Sequence, residues 1–466
     1  MSWLDAAVEY LPRWLEHQMR VTEQPGCVIA VAHQGKLVFE AAFGHADLSK
    51  ATPLTPRHRF RVASHSKTFT AVALMKLREK RQLRLDDRVS RHVSGLSADV
   101  GALTLAQLAS HSAGLVRDGV DATQWSLQRS FLNEAALRED LAHPPTLAAN
   151  TRFKYSNHGY GLLGLAIEQI TGEPYVDWVA REVVAAAGLE ETAPDVQALP
   201  ARAKLAAGHS AKFPLGQRVA IDVAMSTHAL ASATGFVSTA ADLARFYASL
   251  APDARSSVIS ASSRREMTRR QWRSEHDSAG RWYGLGVISG TTGAWDHFGH
   301  SGGFPGVITR TACVPAQQLA VSVLTNAADG LSHQWLDGAL QVMQTFEKHG
   351  APSRRTSRWQ GRVWNLWGAF DLLAMGGSRV LLANPGLANP VLDASQIEVT
   401  GTDRGQVTLG GGFANHGEPV CIERDARGRV RRVWHGGAPL LREAEAVKAL
   451  AVVSSPSKLK AVPRQR

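Results

Sequence analysis

Cysteine is scarce in this sequence. Its three cysteines, Cys27, Cys313 and Cys421, lie far apart in a chain of 466 residues. That spacing gives neither a disulfide framework nor a set of metal ligands. The 18 histidines are scattered too, without the His-x-His or His-Glu-x-x-His spacing of a metallo-hydrolase. We therefore expect no metal ion and no other cofactor.

Long apolar runs are also missing. No stretch is long enough to cross a bilayer as a helix, so no membrane span is expected. The N-terminal segment carries Asp5 and Glu9 among scattered apolar residues, and so lacks the continuous hydrophobic core of a signal peptide. These absences predict a soluble cytoplasmic protein.

Acidic residues are fewer than basic ones, and the formal net charge of +11 raises the question of a nucleic-acid partner. Arginines cluster at Arg264, Arg265, Arg269, Arg270 and Arg273, and again at Arg427, Arg429, Arg431 and Arg432. Neither cluster is interleaved with several aromatic residues, and no nucleic-acid-binding signature accompanies them. We interpret them as a solvated surface and expect no nucleic-acid partner. The oligomeric state stays open.

The order of predicted elements indicates an α+β protein with two domains. Residues 1–24 are predicted to be helical, and Cys27–Ala32 and Leu37–Ala42 to form a β-hairpin. Helical patterns follow to about residue 207, and short β-branched runs return between 283 and 325. Strands at both ends of a segment with helices between them predict one sheet and an inserted helical subdomain.

A second domain is predicted after a linker-like stretch at residues 349–354. Beyond it, short alternating runs are separated by Gly and Asp turns, a pattern typical of a small antiparallel barrel. The predicted strands are Val380–Ala383, Gln396–Val399, Gln406–Leu409, Pro419–Arg424 and Val430–His435. The predicted domains are therefore residues 1–350 and 351–466.

A serine and a lysine three residues apart, Ser64 and Lys67, stand at the start of a helix that is apolar or small on nearly every side. That spacing places the amine one turn from the hydroxyl, as a serine nucleophile with a lysine base requires. The alternative is a helix-capping serine beside a solvated lysine. The same spacing recurs at Ser455/Lys458 and Ser457/Lys460 in a polar tail. The buried helix behind it favours Ser64.

Ser301 is a rival nucleophile, because Gly299-His300-Ser301-Gly302-Gly303 fits the Gly-x-Ser-x-Gly elbow of α/β-hydrolases. The elbow needs a helix after the serine. Here a Pro-Gly break and a β-branched run follow instead. The context therefore argues against Ser301.

Three motifs in order, Ser64-x-x-Lys67, Tyr155-x-Asn157 and His300-Ser301-Gly302, resemble those of the penicillin-recognising serine hydrolases. That family includes class C β-lactamases, D-Ala-D-Ala carboxypeptidases, D-aminopeptidases and esterases. The resemblance covers about three quarters of the chain and implies a β-lactamase/transpeptidase-like α+β domain. The C-terminal part resembles the lipocalin-like barrel extensions of some members.

The resemblance also implies roles for individual residues. Ser64 would form the acyl-enzyme, and either Lys67 or Tyr155 would be the base that activates it. Asn157, which could instead be a helix N-cap, would orient Lys67 and bind the substrate amide.

The third motif would contribute the substrate-facing His300, together with Gly302 and Gly303. The backbone N–H groups of Ser64 and Gly303 would form the oxyanion hole. Many members have lysine where this chain has His300, which resembles the D-aminopeptidase and esterase branches.

We therefore expect a serine hydrolase that acts on small peptides, amides or esters. A β-lactamase or D-Ala-D-Ala carboxypeptidase is the first alternative, disfavoured by the missing lysine and signal peptide. A catalytically silent scaffold or binding protein is the second, disfavoured by the intact set of Ser64, Lys67 and Tyr155.

Overall fold

The computed structural model describes residues 1–212, 216–275, 280–412 and 414–453. The chain divides into two compact units, Glu23–Leu336 and the combination of Met1–Thr22 with Asp337–Arg466. Each unit has its own cluster of buried apolar side chains, as a structural domain requires.

The strands of the first unit are short except where they form the centre of its sheet. Within the described residues they are β1 (Gly26–His33), β2 (Lys36–Asp47), β3 (Thr52–Pro53), β4 (Phe60–Arg61), β5 (Gly208–His209), β6 (Ala220–Ile221), β7 (Val237–Ser238), β8 (Trp272–Arg273), β9 (Trp282–Tyr283), β10 (Ile288–Thr292), β11 (Trp295–Phe304), β12 (Val307–Val314) and β13 (Leu319–Thr325).

Nine of these described strands form one antiparallel sheet in the order β3-β2-β1-β13-β12-β11-β10-β9-β8. The central strands β1 and β13 are buried along almost their whole length, which explains their unbroken apolar runs. The predicted hairpin is confirmed: β1 and β2 are joined at Gln34 and Gly35, which both have the positive φ of a tight two-residue turn.

The helices of the chain lie mostly between β4 and β8. In chain order, the described α-helices are α1 (Trp3–Thr22), α2 (Ser66–Glu79), α3 (Ala98–Gly101), α4 (Leu105–Ala109), α5 (Glu134–Asp140), α6 (Asn157–Thr171), α7 (Tyr175–Val179), α8 (Ala240–Ser249), α9 (Ala261–Thr268), α10 (Ser332–His349) and α11 (Glu443–Val453).

Helix α2 is the buried centre of the first unit. Every residue from Ser66 to Met75 is buried, which confirms the all-round burial predicted from its apolar sequence. The ring of Phe69 is stacked between those of Phe236 and Phe246, with ring centroids 4.2 and 4.0 Å away. Stacked aromatic rings add to the free energy gained from apolar burial. The start of α2 is therefore held in one place.

The second unit contains a closed antiparallel barrel. Its strands are β14 (Gly361–Asn365), β15 (Gly368–Ala374), β16 (Arg379–Ala383), β17 (Ser395–Val399), β18 (Arg404–Leu409), β19 (Pro419–Arg424), β20 (Val430–His435) and β21 (Ala438–Leu441). Alternate apolar side chains point inwards and form the core of the barrel.

Helix α1 is part of this second unit. The Trp14 indole N–H donates to the Leu387 carbonyl at 3.2 Å, and the Tyr10 hydroxyl donates to Asp371 at 3.0 Å. Trp14 is fully buried. The N-terminal helix is therefore hydrogen-bonded to the part of the chain that forms the barrel, although more than 300 residues separate the partners in sequence.

The predicted α+β fold with a C-terminal antiparallel barrel is confirmed. All five predicted barrel strands are present, whereas β14, β15 and β21 were not predicted. The boundary at residue 350 stays a prediction about independent folding. Residues 1–22 belong to the same compact unit as the barrel, and the division between the two units falls within α10.

Candidate active site

Ser64 lies on a 3₁₀ turn, Ala63–His65, between β4 and α2. The preceding Ala63 has a φ of +45°, a left-handed conformation that costs free energy in a residue with a Cβ. The turn is held in place by a hydrogen bond from the preceding residue, because the Val62 N–H donates to the Phe236 carbonyl at 2.9 Å. Such strain persists only where the surroundings impose it, as they do here around a half-buried serine.

Ser64 is in contact with both predicted proton-transfer groups. Its Oγ lies 3.1 Å from the Lys67 Nζ and accepts a hydrogen bond of 2.7 Å from the Tyr155 hydroxyl. Tyr155 comes from the loop before α6, about 90 residues further along the chain. The structure therefore brings together the three residues predicted to carry the reaction.

Lys67 is fully buried and has two further polar contacts. Its Nζ donates to the Asn157 Oδ1 at 2.7 Å and to the Ala233 carbonyl at 2.7 Å. Burial holds the pKa of Lys67 well below its ordinary value; nearby Asp118 opposes this effect and Arg117 adds to it. The neutral amine is therefore favoured here far more than in a solvated lysine.

The orientation of Asn157 is set by Asp118. The Asn157 Nδ2 donates to the Asp118 Oδ1 at 2.6 Å, so the amide oxygen must face Lys67. Asp118 is 8% exposed and also accepts the Trp125 indole N–H at 2.9 Å. Asn157 is not the N-cap of α6, because the Ser156 hydroxyl occupies that position and accepts from the Gly159 N–H.

Tyr155 is in a site that keeps its proton. Burial raises the pKa of Tyr155 above its ordinary value, and the hydrogen bond to Ser64 and the positive charge of Arg117 oppose this rise. The His111 ring lies 4.2 Å from the Tyr155 ring, and its Nδ1 accepts the Ser156 N–H at 3.1 Å. Tyr155 is therefore a hydroxyl donor in the resting site and not a phenolate.

His300 is 3% exposed on β11, next to the turn that carries Ser64. Its ring lies 6.0 Å from that of His65, and its Nε2 is 3.0 Å from the Tyr283 hydroxyl. Burial holds the pKa of His300 well below its ordinary value, with His65 and Lys67 adding to the effect. The imidazole is therefore neutral at pH 7.

The two glycines of the third motif lie on the part of β11 that passes the Ser64 turn. A Cβ on Gly302 would collide with the Val62 carbonyl oxygen, so only glycine allows the strand to approach this closely. Gly303 is exposed and is the next residue along the strand.

The rival serine is not in a nucleophile elbow. Ser301 lies within β11 and pairs with Arg310 on β12, so no strand-to-helix turn presents its hydroxyl. The pairs Ser455/Lys458 and Ser457/Lys460 lie outside the described residues.

Across the described ranges, no three His, Cys, Asp or Glu side chains are grouped so that they could hold a metal ion. No helix in the part of the chain that the structure describes has the length and apolar character needed to cross a membrane.

Sequence reasoning missed several groups at this site. Asp118 stands before Gly119, which has a positive φ, a pattern that indicates a turn but no particular contact. The Ala233 carbonyl is a backbone group and has no signal in the sequence. Tyr283 and His111 were not singled out, because contacts between distant aromatic residues follow no local pattern.

Comparison with known proteins identifies the family. The family model described as Beta-lactamase matches residues 11–340. Protein flp of Staphylococcus aureus (strain NCTC 8325 / PS 47) is 28% identical over 172 residues, which are 35% of this chain and 34% of that protein. The chain therefore matches about a third of the length of this relative.

Two solved structures are similar across most of the chain. The octameric penicillin-binding protein homologue from Pyrococcus abyssi has a TM-score of 0.66 at 21% identity, covering 93% of this chain and all of that one. A D-stereospecific amidohydrolase from Streptomyces sp. has a TM-score of 0.58 at 22% identity, covering 69% of this chain and 94% of that one. These likenesses establish the fold. Because the family model spans well over half of the sequence, the chain belongs to the beta-lactamase family of serine hydrolases.

Proposed function

We propose that this protein hydrolyses small peptides, amides or esters through an acyl-enzyme on Ser64. One observation carries the proposal: the Ser64 Oγ is within hydrogen-bond distance of both the Lys67 Nζ, at 3.1 Å, and the Tyr155 hydroxyl, at 2.7 Å. A nucleophile that touches a base and a proton donor has the groups that acyl transfer needs.

Lys67 is the base in the acylation step. A neutral amine has two N–H donors and one lone pair, and two of the three neighbours of Nζ, the Asn157 Oδ1 and the Ala233 carbonyl, can only accept. The lone pair is then left for the third neighbour, the Ser64 hydroxyl. Ser64 gives its proton to Nζ as its Oγ bonds to the substrate carbonyl carbon.

Tyr155 returns a proton to the leaving group. Its raised pKa keeps the hydroxyl protonated, so it can donate to the departing nitrogen or oxygen as the tetrahedral intermediate collapses. Lys67, which carries the proton from Ser64, then reprotonates Tyr155. The same groups act in reverse order when water attacks the acyl-enzyme.

The remaining residues bind and polarise the substrate. Asn157 holds Lys67 and offers its amide group to the substrate. The backbone N–H groups of Ser64 and Gly303 stabilise the oxyanion, and Gly302 allows β11 to approach. Removing one such donor typically costs about 10²–10³-fold in rate.

His300 favours substrates that lack a carboxylate beside the scissile bond. A neutral imidazole offers a hydrogen bond, whereas a lysine would offer the fixed positive charge suited to a carboxylate. This argues for aminoacyl amides or esters over β-lactams and D-Ala-D-Ala peptides. The fold shared with a D-stereospecific amidohydrolase supports testing D-aminoacyl amides first. A cytoplasmic location stays a prediction.

Labelling with a fluorophosphonate, followed by mass spectrometry, tests the nucleophile. We expect one adduct, on Ser64, that disappears in Ser64→Ala and persists in the control Ser301→Ala. The same proteins are then assayed with D- and L-aminoacyl amides, p-nitrophenyl esters and a chromogenic cephalosporin. An adduct on Ser301, or full activity in Ser64→Ala, would refute the assignment, and no adduct and no turnover would favour a silent binding protein.

A further inference from the structure

The C-terminal barrel contains a cavity that the proposed reaction does not use. It has a volume of about 220 Å³ and lies at the end of the barrel where β14 meets β15 and β20 meets β21. An apolar cavity of about 150 Å³ is enough to hold benzene, and eight-stranded barrels have room for one small ligand. The volume therefore suits a compact molecule of about one ring.

The inner end of the cavity is apolar. Phe370, Leu382 and Leu440 line it, and all three are buried members of the barrel core. A ligand that reaches this depth would replace water with apolar contacts on its inner part.

The outer end of the cavity is polar and carries one acidic group. Asn415, Glu418 and His435 line it, and Glu418 is the one charged side chain among the described lining residues. Burial lowers the pKa of His435, so its ring is neutral. The positive net charge of the whole chain makes this local acidic character distinctive.

The Glu418 carboxylate and the Asn415 amide group meet at the mouth. The Asn415 Nδ2 lies 3.4 Å from the His435 Nδ1, and the Asn415 Oδ1 is buried without a hydrogen-bond partner in the described structure. A Cβ on Gly436 would collide with the Glu418 Oε2 and lie 2.8 Å from the Asn415 Nδ2, so the glycine leaves room for both side chains to converge. Because the Asn415 Oδ1 lies against Gly410, the Glu418 carboxylate is the charged acceptor that the mouth offers to a ligand.

We propose that the barrel mouth binds a small apolar primary amine. The ammonium is bound by the Glu418 carboxylate, and the apolar part contacts Phe370 and Leu440. An ammonium has three donors and no acceptor, which matches a carboxylate that can only accept. A carboxylate ligand of the same size would instead be repelled by Glu418.

Isothermal titration calorimetry of the full chain with benzylamine, benzyl alcohol and benzoate tests this site. We expect benzylamine to bind with a Kd on the order of 1 mM, benzyl alcohol more weakly, and benzoate not at all. Glu418→Gln should weaken benzylamine binding about tenfold or more, because a charge-assisted hydrogen bond is lost. The matched control, Glu398→Gln, removes an exposed carboxylate from β17 of the same barrel and should leave the Kd unchanged.

A second pair of variants separates this cavity from the serine site. Ala438→Trp places a large side chain at the exposed rim of the cavity and should abolish binding, whereas Ser64→Ala should bind benzylamine like the wild type. Equal binding of benzoate and benzylamine, or an unchanged Kd in both Glu418→Gln and Ala438→Trp, would overturn the proposal. Neither outcome depends on whether the protein hydrolyses any substrate.

Discussion

Asp118 links the charge state of Lys67 to the orientation of Asn157, so its replacement by the isosteric Asn is an informative perturbation. The carboxylate accepts the Asn157 amide N–H at 2.6 Å, and the Asn157 oxygen accepts from the Lys67 Nζ at 2.7 Å. In Asp118→Asn the side chain at 118 can present either oxygen or nitrogen, so Asn157 is no longer held in one orientation. The variant also loses the negative charge that raises the pKa of Lys67.

The size of the charge effect follows from the distance. The two hydrogen bonds and the amide between them place the Asp118 carboxylate roughly 7 Å from the Lys67 Nζ. A unit charge at that separation stabilises the ammonium by about 0.6 kcal/mol at a dielectric of 80 and about 2.4 kcal/mol at 20. At pH values below the pKa of Lys67, the fraction of Lys67 that is neutral should therefore rise about three- to sixty-fold in Asp118→Asn.

The assay is the pH profile of kcat/KM with a neutral ester substrate. We expect the plateau to fall about tenfold or more, because the hydrogen bond that orients Asn157 loses its charge. The acid limb should move to lower pH, since the pKa of Lys67 falls when Asp118 is neutral and the amine stays deprotonated in more acidic solution.

The matched control is Asp140→Asn. Asp140 forms a hydrogen bond of 2.7 Å with His158, the buried neighbour of Asn157, whereas the side chain of Asn157 is bonded to Asp118 and Lys67. The acid limb of the pH profile of Asp140→Asn should stay in place. A lower plateau in Asp118→Asn with an unmoved limb would mean that the carboxylate acts on structure alone. A limb that moves to higher pH would refute the assignment of Lys67 as the base.

Three further predictions concern the proton-transfer pair, the substrate and the barrel. The Lys67→Ala/Tyr155→Phe double variant should be little slower than the slower single variant, because groups that act together show non-additive losses. Additive losses in kcat would mean that the two residues act independently. In His300→Lys, the ratio of kcat/KM for a carboxylate-bearing substrate to kcat/KM for its neutral ester analogue should rise about fivefold or more at pH 8. An unchanged ratio would mean that His300 does not face that carboxylate. Asp371→Asn should lower the free energy of unfolding by about 3 kcal/mol or more in urea titrations. The reason is that Arg362 loses a fully buried charged partner, to which it is hydrogen-bonded at 2.8 Å. A loss below about 1 kcal/mol would contradict this reasoning.

Local patterns in the sequence were sufficient for much of the fold. The alternation of β16 to β20 and the two-residue hairpin of β1 and β2 depend on neighbours only a few residues apart, and both were predicted. β15 was missed because its buried run, Phe370–Ala374, reads equally well as a buried helix segment. Helix α1 was predicted, but its place against Asp371 and Leu387 was not, because no local pattern reports a partner so far along the chain.

Local features of the sequence were enough to identify the side chains of the site that are chemically able to react. The serine and lysine one turn apart, the buried helix behind them and the break after Ser301 are local features, and they identified Ser64 as the candidate nucleophile. The pKa values and the orientations of these side chains, in contrast, depend on the folded chain. Complete burial lowers the pKa of Lys67. Asp118 orients Asn157, and the Ala233 carbonyl accepts a hydrogen bond from the Lys67 amine. Desolvation and hydrogen bonds between distant segments exist only in the folded chain, so no reading of neighbouring residues contains them.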